Sequence, residues 1–167
     1  MPSRSGPTPR FAVDAMLGRL ARWLRALGFD TTYSPDIDDH DLVALANREQ
    51  RILLTRDQHL ITFLRPDQGL LLRTGRPLVQ LDRVARAFGL SPTDDLFNRC
   101  LMCNSRLRAA TTNEIATRVP ERPRTLPGPF LACPGCGRIY WPGSHVRRMR
   151  RELAEIFPEL RAGGAGP

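Results

Sequence analysis

The sequence predicts a mixed α/β fold with a mostly parallel sheet, followed by a smaller unit in which paired cysteines begin. Short apolar runs alternate with stretches of helical periodicity, which is the pattern of strands joined by crossover helices. The 167 residues suffice for one ordinary domain and one minidomain. We therefore predict a disordered leader over residues 1–10, an α/β domain over 11–92, a ribbon with a C-terminal helix over 96–158 and a flexible tail over 159–167.

Local patterns predict the elements of the first domain. The apolar run 11–13 stops at Asp14, and apolar residues then recur at helical spacing from Met16 to Leu27. Gly28 can adopt the left-handed conformation that ends many helices. The same reasoning predicts strands over 30–33, 51–55 and 70–72, and helices over 42–49 and 79–88.

The second unit has a different character. Four prolines between residues 120 and 129 predict a stiff irregular arm that contains no helix. Helical spacing returns over residues 146–157, with a basic start, and the glycine-rich end of the chain is expected to fray.

The charge balance predicts a polyanionic partner. The net charge is +8 and the isoelectric point is near 10.8, which favours phosphate binding through counterion release. The chain contains no lysine, so its arginine content could partly reflect coding bias. No apolar run approaches the roughly 18 residues of a bilayer span, and no secretory signal is recognisable. We expect a nucleic-acid partner, no membrane association and a cytoplasmic location.

Two Cys-x-x-Cys pairs predict a metal site in the second unit. Thiols stay reduced in the cytoplasm, where paired cysteines bind metal more often than they form disulfides. Asn104 and Gly137 follow the second cysteine of each pair, and both residue types tolerate the positive φ that such turns often need. A redox pair or unrelated buried thiols are the alternatives. We predict a structural zinc ion, with no open coordination position, held by Cys100, Cys103, Cys133 and Cys136.

Three aspartates form a candidate acidic site. Asp14 and Asp57 each close a predicted strand, at what would be the same carboxyl edge of a parallel sheet, where α/β proteins place their sites. Asp39 precedes the next helix beside that edge. Crowded carboxylates repel unless a hard cation such as Mg²⁺ or Mn²⁺ neutralises them. Each aspartate also has a structural explanation, because Asp14 and Asp57 suit turns and Asp39 suits a helix cap, while other acids crowd the middle loop.

Three arginines are predicted to share one side of the first helix. Arg19, Arg22 and Arg25 are spaced three residues apart, away from the leucine stripe. This basic face could follow a phosphate backbone, or it could simply be solvated.

Several motifs together resemble the Mut-seven C-terminal RNase family. They are FAVDAMLGRLARWLRALGFDT, RILLTRD, the two cysteine pairs and IYWPGSH, in matching order over about residues 11 to 150. The resemblance implies a PIN-like three-layer α/β/α domain with a fused zinc ribbon, and a ribonuclease dependent on Mg²⁺ or Mn²⁺. It assigns Asp14, Asp39 and Asp57 as the first, middle and later acids. A fourth acid has no clear counterpart, since the candidate Asp82 lies inside a predicted helix.

The resemblance does not assign a role to the run from Tyr140 to His145. Trp141 could stack on a base and His145 could contact phosphate, or both could pack the ribbon against the first domain. The candidate nucleic-acid contacts are Arg19, Arg22, Arg25, Arg56, Trp141 and His145.

Two functions follow from these observations. The first is a metal-dependent ribonuclease whose zinc ribbon assists RNA binding, with a toxin-like action on one structured RNA as a special case and DNA left open as a substrate. The second is a catalytically incomplete RNA-binding module, acting within a larger RNA-processing complex.

Overall fold

Four short parallel strands form the central sheet. In the computed structural model, which describes residues 7–93 and 96–162, the strands are β1 (Phe11–Val13), β2 (Thr31–Tyr33), β3 (Ile52–Thr55) and β4 (Gly69–Leu71). Their order is β2-β1-β3-β4, and every neighbouring pair is parallel. The predicted parallel α/β sheet is therefore confirmed. Residues 1–6 of the predicted leader and 163–167 of the predicted tail lie outside the described residues.

Three helices lie where the apolar periodicity predicts them, and a π-helical turn that was not predicted lies between β3 and β4. A 3₁₀ turn, Ala15–Leu17, leads into α1 (Gly18–Ala26), and α2 (Asp39–Arg48) follows β2. A π-helical turn, Leu60–Leu64, lies between β3 and β4, and α3 (Pro77–Phe88) closes the domain. No helix in the two described ranges combines the length and the hydrophobicity that a bilayer crossing requires.

The residue that caps α2 differs from the sequence-based interpretation. Asp38 is the cap, because its side-chain Oδ1 accepts a hydrogen bond of 2.9 Å from the Asp41 amide. Asp39 is the first helical residue and its side chain is exposed. The capping explanation for Asp39 is therefore wrong, because its carboxylate does not make the capping hydrogen bond.

Alternating side chains along the strands bury two apolar clusters, one on each face of the sheet. Phe11, Val13 and Leu54 belong to the larger cluster with α1 and α3, whereas Ala12 and Leu53 belong to the smaller one with α2 and the π-helical turn. Helices thus cover both faces, as parallel sheets require.

The second unit contains a three-stranded antiparallel sheet. Its strands are β5 (Arg108–Ala109), β6 (Leu131–Ala132) and β7 (Ile139–Tyr140), in the order β5-β6-β7. Between β5 and β6 lie α4 (Thr112–Arg118) and the single turn α5 (Glu121–Arg124). The prediction that the proline-rich arm contains no helix is wrong for α5, because Pro123 occupies a position in one helical turn that needs no intrahelical amide donor.

Helix α4 was not predicted, although a local signal marks it. Thr111 and Glu114 form a capping box, in which the Thr111 hydroxyl accepts from the Glu114 amide and the Glu114 carboxylate accepts from the Thr111 amide. Such a Ser/Thr-x-x-Glu pattern is readable from the sequence. The lack of a buried face in α4 explains why apolar periodicity did not reveal it.

Helix α6 (Ser144–Ile156) follows the ribbon and packs its C-terminal part onto the first domain. Leu153 of α6 and the following Phe157 lie in the same buried cluster as Phe11 of β1. The short helix α7 (Glu159–Ala162) follows, and its Leu160 also packs against that cluster. The predicted flexible tail is therefore helical over its first four residues. The core of the α/β domain extends across the predicted boundary.

The ribbon docks on the start of the edge strand β2 through Asn104. The Asn104 Oδ1 atom accepts a 3.0 Å hydrogen bond from the buried Thr31 amide, and its Nδ2 atom donates over 2.8 Å to Asp30 Oδ1. The Asp30 Oδ1 atom also accepts a 2.8 Å hydrogen bond from Arg51 Nη1. Burial opposes ionisation, but the hydrogen bonds from Arg51 and Asn104 hold the pKa of Asp30 down to about 2. Asp30 therefore stays charged as the centre of this junction.

We expect Asn104→Gly to weaken the junction without disturbing the backbone. Asn104 has a φ of 72°, which glycine adopts without strain, so the substitution removes only the side-chain hydrogen bonds. The buried Thr31 amide would lose its acceptor, and we expect a loss of about 1–3 kcal/mol in the free energy of unfolding, measured by urea denaturation. Gln50→Gly is the matched control, because Gln50 also has positive φ but is exposed, and it should be neutral or stabilising. Equal effects of the two substitutions would contradict the role of Asn104.

Candidate functional site

The four cysteines converge in the ribbon. Their Sγ atoms all lie within 4.8 Å of one another, with 3.5 Å between Cys100 and Cys136 and 3.3 Å between Cys103 and Cys133. A tetrahedral zinc ion with Zn–S bonds of about 2.3 Å separates its sulfurs by about 3.8 Å. The cluster is therefore compatible with structural zinc, and all four positions of such a tetrahedron would be filled by protein.

The backbone around the sulfurs has the conformation that the sequence predicts. Asn104 has a φ of 72° and Gly137 a φ of 75°, as expected for the residues that follow each pair. The amides of Cys103 and Cys136 point at the first sulfur of their own pair, each over 3.4 Å. Amide donors of this kind stabilise a thiolate, which is the form that binds metal.

The thiols differ in acidity for local reasons. The Arg138 backbone amide, helped by its side chain, lowers the pKa of Cys136 to about 6. Burial raises the pKa of Cys133 to about 11. Cys136 therefore favours the thiolate before any metal is bound, whereas Cys133 favours the thiol.

Tyr140 contacts the cysteine cluster at the buried Cys100. Its hydroxyl lies 3.1 Å from Cys100 Sγ and accepts a 3.2 Å hydrogen bond from the Leu101 amide. The first residue of the run from Tyr140 to His145 thus packs on the metal-binding loop. The next residue, Trp141, is half-buried, and Gly143, the N-cap of α6, lies beside it, where a Cβ atom would lie 3.0 Å from Trp141 Nε1.

Asp14 and Asp57 lie at the carboxyl edge of the parallel sheet, where they follow β1 and β3. The Thr55 hydroxyl connects them, because it donates over 2.7 Å to Asp14 Oδ2 and accepts over 2.9 Å from the Asp57 amide. Asp57 Oδ1 in turn accepts from the His59 amide over 2.7 Å. The second carboxylate oxygen of each aspartate has no hydrogen bond among the described residues, which leaves one ligand atom on each side chain.

The three predicted acids do not form a tight group. Among residues 7–93 and 96–162, only the four cysteines bring three or more His, Cys, Asp or Glu ligand atoms within 4.8 Å of one another. The carboxylates of Asp14, Asp39 and Asp57 do not. Asp39 begins α2, which starts from the same edge of the sheet because β2 runs parallel to β1. A cation shared by Asp14, Asp39 and Asp57 stays a prediction. Asp82, the weak fourth candidate, is paired with Arg86 over 2.8 Å.

A cavity of about 600 Å³, here called the basic cavity, opens beside the acidic edge. The 3₁₀ turn that follows Asp14 forms one wall, and Arg56, the neighbour of Asp57, contributes to another. No described Asp or Glu residue lines the basic cavity. Its polar lining comprises Arg19, Arg22, Arg25, Tyr33, Arg56 and Gln80.

A second cavity of about 610 Å³ continues from the first along the surface between α1 and α6. Arg19 and Arg22 line both cavities, and the second also includes Arg76, Arg148 and His145. Four of the predicted nucleic-acid residues, Arg19, Arg22, Arg56 and His145, therefore lie along one continuous depression. Trp141 lies outside it and lines a smaller pocket with His145.

Arg25 departs from the prediction. It is only 2% exposed, so it does not share a solvent-facing side of α1 with Arg19 and Arg22. Its Nε donates to the Thr31 carbonyl over 2.9 Å, and its Nη1 donates to the carbonyls of Leu101 and Met102 over 2.9 and 3.0 Å. Arg25 thus ties α1 to the loop between Cys100 and Cys103. Helical spacing predicts that Arg25 lies on the polar side of α1. It does not reveal that the ribbon covers that side at this residue.

Sequence reasoning missed three residues of this region. Thr55 bridges the two aspartates, and only its position at the end of β3 could have indicated that role. Tyr33 donates from its hydroxyl to the Ala15 carbonyl over 3.1 Å and packs so closely on Gly18 that a Cβ there would lie 2.8 Å from the hydroxyl. Gln80 is buried and donates to the Thr74 carbonyl over 2.6 Å. Isolated Tyr and Gln residues carry no sequence signal for such contacts.

These features define a two-part protein, in which a parallel α/β domain with acids at its carboxyl edge is joined to a four-cysteine ribbon. The family model described as the Mut7-C RNAse domain matches residues 9–153, and the chain belongs to that family. Membership indicates a nuclease-like role and a nucleic-acid partner. Comparisons with curated proteins and with solved structures gave no match.

Proposed function

We propose that this protein is a ribonuclease that hydrolyses phosphodiester bonds with Mg²⁺ or Mn²⁺, and that its ribbon holds a structural zinc ion. The observation that carries the proposal is the linked pair Asp14 and Asp57 beside the basic cavity. One carboxylate oxygen on each remains unoccupied within the described chain, and Thr55 fixes the position of both residues. Acids and a cationic phosphate-binding surface are the two parts that metal-dependent phosphodiester hydrolysis requires.

The donor chemistry fits a hard cation. Mg²⁺ keeps several water ligands and is commonly bound through one or two carboxylates, so it does not require three acids in mutual contact. Asp14 and Asp57 would supply those carboxylates, and Asp39, at the exposed start of α2, would reach a water ligand or the cation itself. When bound, the ion would lower the pKa of a water molecule and offset charge that develops on the phosphate.

The remaining groups position the substrate. Arg19, Arg22 and Arg56 make no ion pair with a described carboxylate, so their guanidinium groups are available to phosphate oxygens. Guanidinium groups bind phosphate with paired, charge-assisted hydrogen bonds. Because the cavity that these arginines line adjoins the turn after Asp14, an RNA strand held by them would pass the acidic edge.

The test is hydrolysis of labelled RNA by zinc-loaded protein with Mn²⁺. We expect Asp14→Asn and Asp57→Asn to lower the rate by about a hundredfold or more, because each removes a charged ligand while its remaining amide oxygen still accepts the existing hydrogen bonds. Asp82→Asn is the matched control and should keep the wild-type rate, since Asp82 pairs with Arg86 on α3. Asp39→Asn should lower the rate more than Asp41→Asn does. Wild-type rates in both Asp14→Asn and Asp57→Asn would refute the proposed catalytic site.

A second candidate function is RNA binding without hydrolysis. The separation of the three acids in the described chain favours it, since no three carboxylates lie within 4.8 Å of one another there. In that case wild type and all aspartate variants would bind RNA with similar affinity and none would degrade it.

A further inference from the structure

Arg25 is a buried cation without a carboxylate partner. It is 2% exposed, and its Nε and Nη1 atoms donate only to backbone carbonyls. Burial lowers the pKa of its guanidinium, while the neighbouring residues Cys100 and Cys103 act in the opposite direction. A buried charge is costly unless an opposite charge compensates it. An anion in the adjoining cavity would supply such a charge.

One nitrogen of Arg25 is open to the basic cavity. No hydrogen bond within the described residues involves its Nη2 atom. No buried side-chain nitrogen in the described chain lacks a partner, so this Nη2 atom is accessible to solvent, and Arg25 lines the basic cavity. Arg25 thus brings an unused, solvent-accessible donor to a cavity that Arg19, Arg22 and Arg56 also line.

The lining of the cavity indicates the charge of its ligand. Four arginines contribute to it, and no described acid does. An internal phosphodiester carries one negative charge, whereas a terminal phosphate monoester carries about 1.5 to 2 at neutral pH and offers three free oxygens. A recess lined by several guanidinium groups complements the monoester better, because each group can bind a separate oxygen pair.

We propose that the basic cavity binds the terminal phosphate of a single-stranded RNA, with Arg25 at its base and Arg19, Arg22 and Arg56 around it. This inference rests on the proposed function, and it adds that the substrate enters by a phosphorylated end. The chain then leaves along the depression between α1 and α6, over Arg76 and His145. Binding of the end in the cavity sets the first phosphodiester bonds beside the edge that carries Asp14 and Asp57.

The experiment measures RNA binding by fluorescence anisotropy, with zinc-loaded protein and without added Mg²⁺ or Mn²⁺. Three short RNAs of one sequence are compared, with a 5′-phosphate, a 3′-phosphate or hydroxyls at both ends. We expect one phosphorylated end to bind about tenfold more tightly than the hydroxyl ends, because it adds charge-assisted hydrogen bonds to the arginines. Arg22→Gln and Arg56→Gln should each lose most of that preference.

The controls separate this inference from general charge effects and from the ribonuclease proposal. Arg83→Gln removes the same charge from the exposed side of α3, outside the basic cavity and the second cavity, and should keep the end preference. Equal affinity for all three RNAs, or a preference that survives in both Arg22→Gln and Arg56→Gln, would overturn the inference. Hydrolysis with Mn²⁺ is scored separately, so RNA cleavage without an end preference would refute the end-binding site alone.

Discussion

Cys136→Ser is expected to abolish zinc binding and unfold the ribbon while the α/β domain stays folded. A serine hydroxyl is a poor zinc ligand at neutral pH, because it does not ionise as a thiol does. The ribbon sheet consists of three two-residue strands and cannot be stable on its own. Structural zinc contributes about 10 kcal/mol or more to such small units, so its loss exceeds what the remaining contacts supply.

Native mass spectrometry and hydrogen exchange measure this effect. We expect about one zinc per wild-type chain and close to none in Cys136→Ser. Amides that pair within the ribbon, such as those of Ala110 and Cys133, should lose protection, whereas Asp14, which donates to β3, should retain it. Ser105→Ala is the control, because it removes a hydroxyl 3.3 Å from Cys103 Sγ without removing a ligand. A Cys136→Ser protein that keeps one zinc and a protected ribbon would contradict the four-cysteine site.

Leu153→Ala is expected to destabilise the α/β domain by about 3–5 kcal/mol. Leu153 belongs to α6, after the ribbon, yet its side chain is fully buried among residues of β1, α1 and α3. Removing it leaves a cavity in the main core, and buried leucine truncations of this kind have costs in that range. The effect would show that the C-terminal helix contributes to the core of the first domain.

Urea denaturation followed by circular dichroism tests this assignment. Glu155→Ala is the matched control, because it lies on the exposed side of the same helix and should change the stability by less than about 0.5 kcal/mol. A small effect of Leu153→Ala, or an effect confined to a separate transition of the ribbon, would mean that α6 does not complete the α/β core.

Much of the fold was predictable because its signals are local. The runs at Phe11–Val13 and Ile52–Thr55 are apolar and short, and the helices between them carry a clear 3.6-residue period. The end of α3 was predicted from Gly89, whose φ of 57° ends it, whereas its start lies at Pro77, two residues before the predicted one. The capping of α2 was misassigned by one residue, because Asp38 and Asp39 are equally suited to the role until the backbone is known.

The candidate site was predictable only in part. The cysteine set was found because zinc imposes a fixed spacing on neighbouring ligands, and the structure brings all four sulfurs together. Asp14 and Asp57 were selected because each ends a strand, but the Thr55 hydroxyl between them had no independent signal. Arg25 was misplaced, since helical spacing shows which side of a helix is polar but not what covers that side.

The sequence by itself determined the parallel α/β class, the four zinc-ligand candidates and the two strand-end acids. All three depend on residue spacings within one segment or on repeated short motifs. The tertiary structure decided that α6 completes the core, that Arg25 ties α1 to the cysteine loop, and that the exposed arginines border one continuous depression. Arg25 and Leu101 are 76 residues apart in the chain, and such a contact depends on how whole elements pack, which local periodicity does not encode.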